Sequence, residues 1–241
     1  MPEPRVTRRA FALTATAGLL IGRRAPAWSA PAQGVPGQAA TQVVEDWRDV
    51  PLGSHGVPPG WRKYETPGGR PAYDFTVVED TGRRALDLKS AADHSTIAKE
   101  VGIALEATPL LEWEWKVRTL PRGADLRERA TSDTTGHLFV IWPRFPALLR
   151  SRLIGYVWDA GLPVGSIVKS SKTSTVTFIV VRRGVDGLGQ WLTERRNVVD
   201  DHRRVFGEAP DNPQAVALSI DTNDTKATAE AGFARIAFAA A

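Results

Sequence analysis

The stretch Leu111-Glu112-Trp113-Glu114-Trp115-Lys116-Val117-Arg118 decides the fold class. Apolar and charged residues alternate along it without a break. A period of two puts Leu111, Trp113, Trp115 and Val117 on one face of a β-strand and Glu112, Glu114, Lys116 and Arg118 on the other. The first face must be buried against a second layer, while the charged face looks away from that core.

Working outward, the same strand signals recur on both sides. His137 to Trp142 is a short apolar run, as expected of a central strand. Ile154, Tyr156 and Trp158 alternate with Leu153, Gly155 and Val157. Ser174 to Val181 is β-branched and apolar; Gly184 to Gly189 then reads as a hairpin-like loop, with a return strand from Trp191. Phe75–Val78, Ala85–Leu88, Val216–Ile220 and Phe233–Phe238 fit further strands. One short helix is expected, capped by Asn197 and stopped by Gly207, with Val198, Val199, His202, Val205 and Phe206 on its apolar face. Many short strands and one helix predict a mostly β chain, an antiparallel β-sandwich. A parallel α/β fold needs helices between its strands, and none are legible here.

The chain has 241 residues, 42% hydrophobic and 24% charged, a globular balance that excludes wholesale disorder. It has no cysteine, which excludes disulfides, thiolate catalysis and Cys-ligated metal sites. The formal net charge of +4 comes from the N-terminus. Residues 1–32 hold five of the 31 basic residues and one of the 27 acidic ones, so 26 of each remain beyond them. A neutral remainder has no overall attraction to nucleic acid. Within residues 1–32, Thr7-Arg8-Arg9-Ala10-Phe11-Ala12-Leu13 resembles a twin-arginine export motif. The apolar run after it, Ala10 to Gly22, is roughly 13 residues long and too short to span a bilayer. Arg23 and Arg24 after that run suit the twin-arginine machinery better than general secretion, and Ala25-Pro26-Ala27 and Ala30-Pro31-Ala32 offer small residues for signal peptidase. The expected organisation is a signal peptide over 1–32, a flexible lead-in over 33–42 and a single β-sandwich domain over 43–241. The expected location is periplasmic or secreted, with no transmembrane segment.

Several motifs together resemble a known family. They are Val57-Pro58-Pro59-Gly60-Trp61, Pro109-Leu110-Leu111-Glu112-Trp113-Glu114-Trp115, Trp191-Leu192-Thr193-Glu194-Arg195-Arg196-Asn197-Val198, Asp200-Asp201-His202-Arg203-Arg204-Val205-Phe206-Gly207 and Asp221-Thr222-Asn223-Asp224-Thr225. From Trp47 to Phe238 the chain is similar to an uncharacterised secreted bacterial family, domain of unknown function 3047. The resemblance implies a jelly-roll, concanavalin-like sandwich in the style of secreted lectins and glucanases. It implies no activity and no catalytic residues.

Candidate chemistry is read from the residues themselves. Glu112 and Glu114 share a strand face at about 6.5–7 Å, a separation suited to paired carboxylates of a glycan hydrolase or lyase. The alternative is a solvated face with Glu114 paired to Lys116 or an arginine. Lys116, Tyr156, Trp158 and Arg195 are candidate ligand-binding residues, since rings stack on sugars and cationic groups hold hydroxyls or carboxylates; the rings equally suit the core. Arg195 and Arg196 equally suit a staple from sheet to helix through Asp200 or Glu194. Asp221, Asn223 and Asp224 are candidate metal ligands, with calcium the cation such oxygens suit. His55, His94, His137 and His202 lack the short spacing of a zinc site. Three functions follow: a glycan or polar-ligand binding sandwich, a glycan hydrolase or lyase using Glu112 and Glu114, and a structural envelope subunit.

Replacing Arg8 and Arg9 together with Lys is expected to leave precursor in the cytoplasm, checked by immunoblotting of cell fractions. Undiminished mature protein outside the cytoplasm would overturn the reading of the leader.

Overall fold

The structure, a computed structural model, describes residues 40–64 and 71–241. The expected signal peptide, and the expected lead-in as far as residue 39, lie outside the described residues. In chain order the elements are β1 (Thr41–Glu45), β2 (Arg62–Lys63), β3 (Asp74–Asp80), β4 (Arg83–Ala91), β5 (His94–Glu100), β6 (Leu110–Thr119), β7 (Thr134–Trp142), the helical turn α1 (Ala147–Arg150), β8 (Arg152–Asp159), β9 (Ile167–Lys169), β10 (Val176–Arg183), β11 (Leu192–Asn197), helix α2 (Val198–Phe206), β12 (Ala215–Asp221) and β13 (Thr228–Ala239).

The strands form two sheets, as the alternation in β6 requires. The first runs β11-β6-β13-β4-β3, with β1 also paired to β13. The second runs β2-β5-β12-β7-β8-β10-β9. The mostly β sandwich is therefore observed. Its pairings are antiparallel with one exception, β8 with β10, which run parallel. The pairing of β11 corrects the expected hairpin after β10. The Gly184–Gly189 segment does not return the chain to a neighbouring strand; it carries it from the second sheet to the first, where β11 pairs with β6.

Between the sheets, Trp113 and Trp115 of β6 meet Tyr156 and Trp158 of β8, with ring centroids 5.3 Å and 5.6 Å apart. All four side chains are fully buried. Ile154, Leu138, Val140, Leu218 and Phe233 extend the same core. The second sheet buries its other face too. There Phe139, Ile141, Leu153, Val157, Phe178 and Val180 form a second apolar cluster, with Leu126 packed on it. Burial on both faces is the reason β7 reads as an uninterrupted apolar run. Gly155 of β8 is required at this place, because a Cβ there would lie 2.6 Å from the Phe139 ring and 2.9 Å from Phe178.

Helix α2 begins and ends where its capping residues stand. The Asn197 side chain accepts hydrogen bonds from the amides of Val199 and Asp200, at 3.0 and 3.2 Å. Gly207 closes the last turn in the left-handed region, at φ 79°.

Trp113→Ala is expected to cost about 3–5 kcal/mol of folding stability, since it empties a closed aromatic layer. Glu112→Gln, on the opposite face of the same strand, is expected to cost under about 1 kcal/mol. Urea unfolding of the two variants tests both; equal costs would overturn the assignment of the two faces.

Candidate functional site

The outward face of β6 is built into a lattice of ion pairs. Glu112 lies 3.0 Å from Arg195 Nε and 3.9 Å from Arg235. Glu114 accepts from Arg83 Nε at 3.0 Å. Lys116 Nζ and Arg118 Nη2 both donate to Asp80 at 2.8 Å, and Arg118 Nη1 reaches Asp87 at 3.0 Å. The hydrogen bond from Lys116 lowers the Asp80 carboxyl below its ordinary range against some burial, and Arg118 adds to the effect. Asp87 is pushed up by burial, against the pull of Arg118. Each glutamate is thus matched to a guanidinium, and Lys116 to an aspartate on a different strand.

A tryptophan lies across this lattice. Trp191, just before β11, has Lys116 and Arg83 each 5.9 Å from its ring. It rests over Gly232 of β13, where a Cβ would stand 3.1 Å from the indole and 2.7 Å from the Asp87 carboxylate. Its buried Nε1 has no hydrogen-bond partner among the described residues. Beside it opens a cleft of about 320 Å³, lined by Arg48, Arg83, Arg84 and Arg235 and by Asp46, Glu79 and Glu114. Arg84 is committed to the fold, since its Nη1 donates to the carbonyls of Arg48 and Val50 at 2.7 and 3.1 Å. The others present guanidinium donors and carboxylate acceptors to the opening. No aromatic residue lines the cleft itself.

The residues singled out from sequence divide accordingly. Glu112, Glu114, Lys116 and Arg195 share the outer face, and of these only Glu114 lines the cleft. Tyr156 and Trp158 are corrected: both are fully buried between the sheets, because they share the inner side of β8 with Ile154. Neither ring is open to a ligand on the Glu114 face. Arg196 is the staple to the helix, and Asp201 is its anchor in place of Asp200 or Glu194. Arg196 Nε donates to Asp201 at 2.9 Å, and the Tyr156 hydroxyl donates to the same carboxylate at 3.0 Å. Asp221, Asn223 and Asp224 gather around a lysine. The Lys172 ammonium pairs with Asp224 and lies 3.7 Å from Asp221 and 3.5 Å from Asn223 Oδ1, so a protein cation stands where calcium was expected. Among the described residues no group of three or more His, Asp or Glu is arranged to hold a metal ion. The turn itself hangs on Asp133, whose carboxylate accepts from the amides of Asp224 and Thr225 at 3.1 and 2.7 Å.

The family pattern covers residues 59–237. The chain belongs to the family described as a protein of unknown function, DUF3047. No curated protein sequence matches it. Among solved structures it is similar to the family 11 carbohydrate-binding module of the cellulosomal cellulase Lic26A-Cel5E of Clostridium thermocellum, at 8% identity and a TM-score of 0.45, covering 85% of this chain and 97% of that one. The family 30 carbohydrate-binding module of the cellulosomal cellulase Cel9D-Cel44B of the same organism gives 11% identity and a TM-score of 0.44 over 83% and 96%. The xyloglucanase domain of NopAA, a type three effector from Sinorhizobium fredii, gives 11% and 0.42 over 76% and 93%. At these values no ligand, reaction or residue role passes from them to this chain. Within DUF3047, the motif residues of this chain have structural partners. Trp61 stacks on Trp47 and donates to Glu45 at 2.9 Å, Asn197 caps α2, and the 221–225 turn hangs on Asp133.

A buried polar seam crosses the outer side of the second sheet. Thr96 and Ser219 hydroxyls meet at 2.7 Å, and His94 contacts Thr96 at 2.9 Å and Asp221 at 3.3 Å. His137 lies 3.3 Å from the Ser219 carbonyl through Nδ1 and also meets the Thr134 hydroxyl. A neutral ring satisfies both: Nδ1–H donates to the carbonyl and Nε2 accepts from the hydroxyl. Burial, helped by the nearby His94, lowers the His137 pKa from 6.5 to about 3, with the Ser219 bond opposing. As pH falls below 6.5 the unfolded chain takes up a proton that the folded His137 refuses. Stability is therefore expected to fall between pH 6.5 and pH 3, and His202, lowered chiefly by burial, acts in the same direction. Urea midpoints above and below pH 6.5 check this. His137→Gln should show a smaller drop than the wild type, and an equal drop would remove His137 as a source.

Proposed function

We propose that this protein is a binding module for a hydroxyl-rich polar ligand, a glycan segment, held on the outer face of the first sheet. The observation that carries the reading is the cleft of about 320 Å³ beside Trp191, within the size range of small-molecule sites. Its arginines and carboxylates supply both donors and acceptors, which is what a set of hydroxyls needs. The Arg83–Glu114 pair sits at the boundary between the cleft and the indole. The lattice behind it supports pre-organisation, since charged groups already held in place lose little freedom on binding. A hydrolytic role asks two carboxyls to differ in protonation. Here each is tied to its own guanidinium, which supports binding over hydrolysis. The Arg8-Arg9 leader supports action outside the cytoplasm, where glycans are met.

Calorimetric titration with a panel of neutral and acidic oligosaccharides tests the proposal. The wild type should bind at least one of them without turnover. Arg235→Ala, which removes a donor that lines the cleft, should weaken that binding by about tenfold, and Glu114→Gln should weaken it without abolishing it. Turnover lost in Glu114→Gln would instead establish a hydrolase or lyase, and no binding across the panel would leave the structural-subunit reading.

A further inference from the structure

A second cleft, of about 370 Å³, shares no lining residue with the first. It lies among α1, the starts of β8 and β10, β9 and the end of α2. Four cationic side chains line it: Arg144, Arg150, Arg152 and Lys169. Arg152 pairs with Glu208 and lies over the Phe206 ring at 4.8 Å. Arg144 reaches Glu208 and Asp211 only at 3.7 and 3.6 Å. Arg150 and Lys169 form no ion pair among the described residues. The local charge is thus positive on a chain that is neutral beyond residue 32.

Leu149, which lines the cleft, and Phe145 in the same chain segment both stand out to solvent. Phe145 is 90% exposed and Leu149 is 72% exposed, the former highest among the large hydrophobic side chains that stand out to solvent. Both are in the short segment between β7 and β8 that also carries Arg144 and Arg150. A small anion bound in the cleft makes no use of them. A bilayer interface uses both features at once. Apolar side chains enter the headgroup–acyl boundary, and cations around them meet anionic headgroups.

We propose that this end of the sandwich docks on an anionic phospholipid surface. Phe145 and Leu149 enter the interface, and Arg150 and Lys169, with Arg144 and Arg152 behind them, take headgroup phosphates. Glycan and membrane then occupy different clefts, so one chain can hold both.

The test is co-sedimentation of the full chain with vesicles of phosphatidylcholine alone and of phosphatidylcholine with phosphatidylglycerol. Binding is expected to the anionic vesicles only, and to weaken as salt is added. The double variant Arg150→Glu/Lys169→Glu should bind at least about tenfold more weakly. Phe145→Ser/Leu149→Ser should also weaken binding, and should leave what remains more sensitive to salt. The N-terminal apolar run is common to every variant, so a difference between variants reports this cleft. Oligosaccharide titration of the same variants should be unchanged, which separates this proposal from the glycan reading. Absence of binding to anionic vesicles, or equal binding by both double variants and the wild type, would overturn it. So would binding of inorganic phosphate, lost in Arg150→Glu/Lys169→Glu, without vesicle binding, since that describes a site for a small anion.

Discussion

The structure depends on burying four aromatic rings, Trp113, Trp115, Tyr156 and Trp158, between two sheets. Trp113 lies against Tyr156 and Trp115 against Trp158, and the two tryptophans of β6 meet edge to face at 5.7 Å. Rings of this size bring polar atoms with them; Trp113 Nε1 has no hydrogen-bond partner among the described residues, whereas the polar atoms of the other three are paired. Trp115 Nε1 donates to Glu194 at 3.1 Å, and Trp158 Nε1 to the Gly184 carbonyl at 2.9 Å. The Tyr156 hydroxyl donates to Asp201, which Arg196 neutralises. Satisfying three buried aromatic groups thus ties down β11, the crossover loop after β10 and the first turn of α2.

The same burial sends the charges of β6 outward in a row. Strand geometry leaves Glu112, Glu114, Lys116 and Arg118 on a surface where other strands of the same sheet supply opposite charges. Asp80 and Arg83 come from the hairpin that joins β3 and β4, Asp87 from β4, Arg235 from β13 and Arg195 from β11. Individually such surface pairs contribute little stability. Collectively they hold an open set of donors and acceptors at fixed positions around one indole.

The two clefts express opposite uses of arginine. In the first, guanidinium groups alternate with carboxylates and the local charge is nearly balanced. In the second, cations outnumber the acids that reach them, and Phe145 and Leu149 nearby are left to solvent. On the two proposals, a hydroxyl-rich ligand takes the first environment and an anionic surface the second, because desolvating an unmatched cation is favourable only where a negative partner replaces the water.

Local chemistry determined much of this protein from sequence alone. The two faces of β6, the central position of β7, the Asn197 and Gly207 caps and the two-layer β architecture follow from side-chain period and capping geometry, which act over a few residues. Strand β5 was not legible, because Ser95 and Thr96 are buried through hydroxyl bonds to Asp93 and Ser219 rather than through apolar side chains. The crossover after β10 was not legible either, since turn residues look alike whether a chain returns to its own sheet or crosses to the other. Tyr156 and Trp158 carried no mark of which side of their strand faced the core; that depends on what packs opposite. Lys172 at the expected metal position, Trp191 over Gly232, and both clefts join residues dozens of positions apart. Only the tertiary structure decided these, because partners so distant in sequence meet through sheet register, and no local pattern encodes which strands will be neighbours.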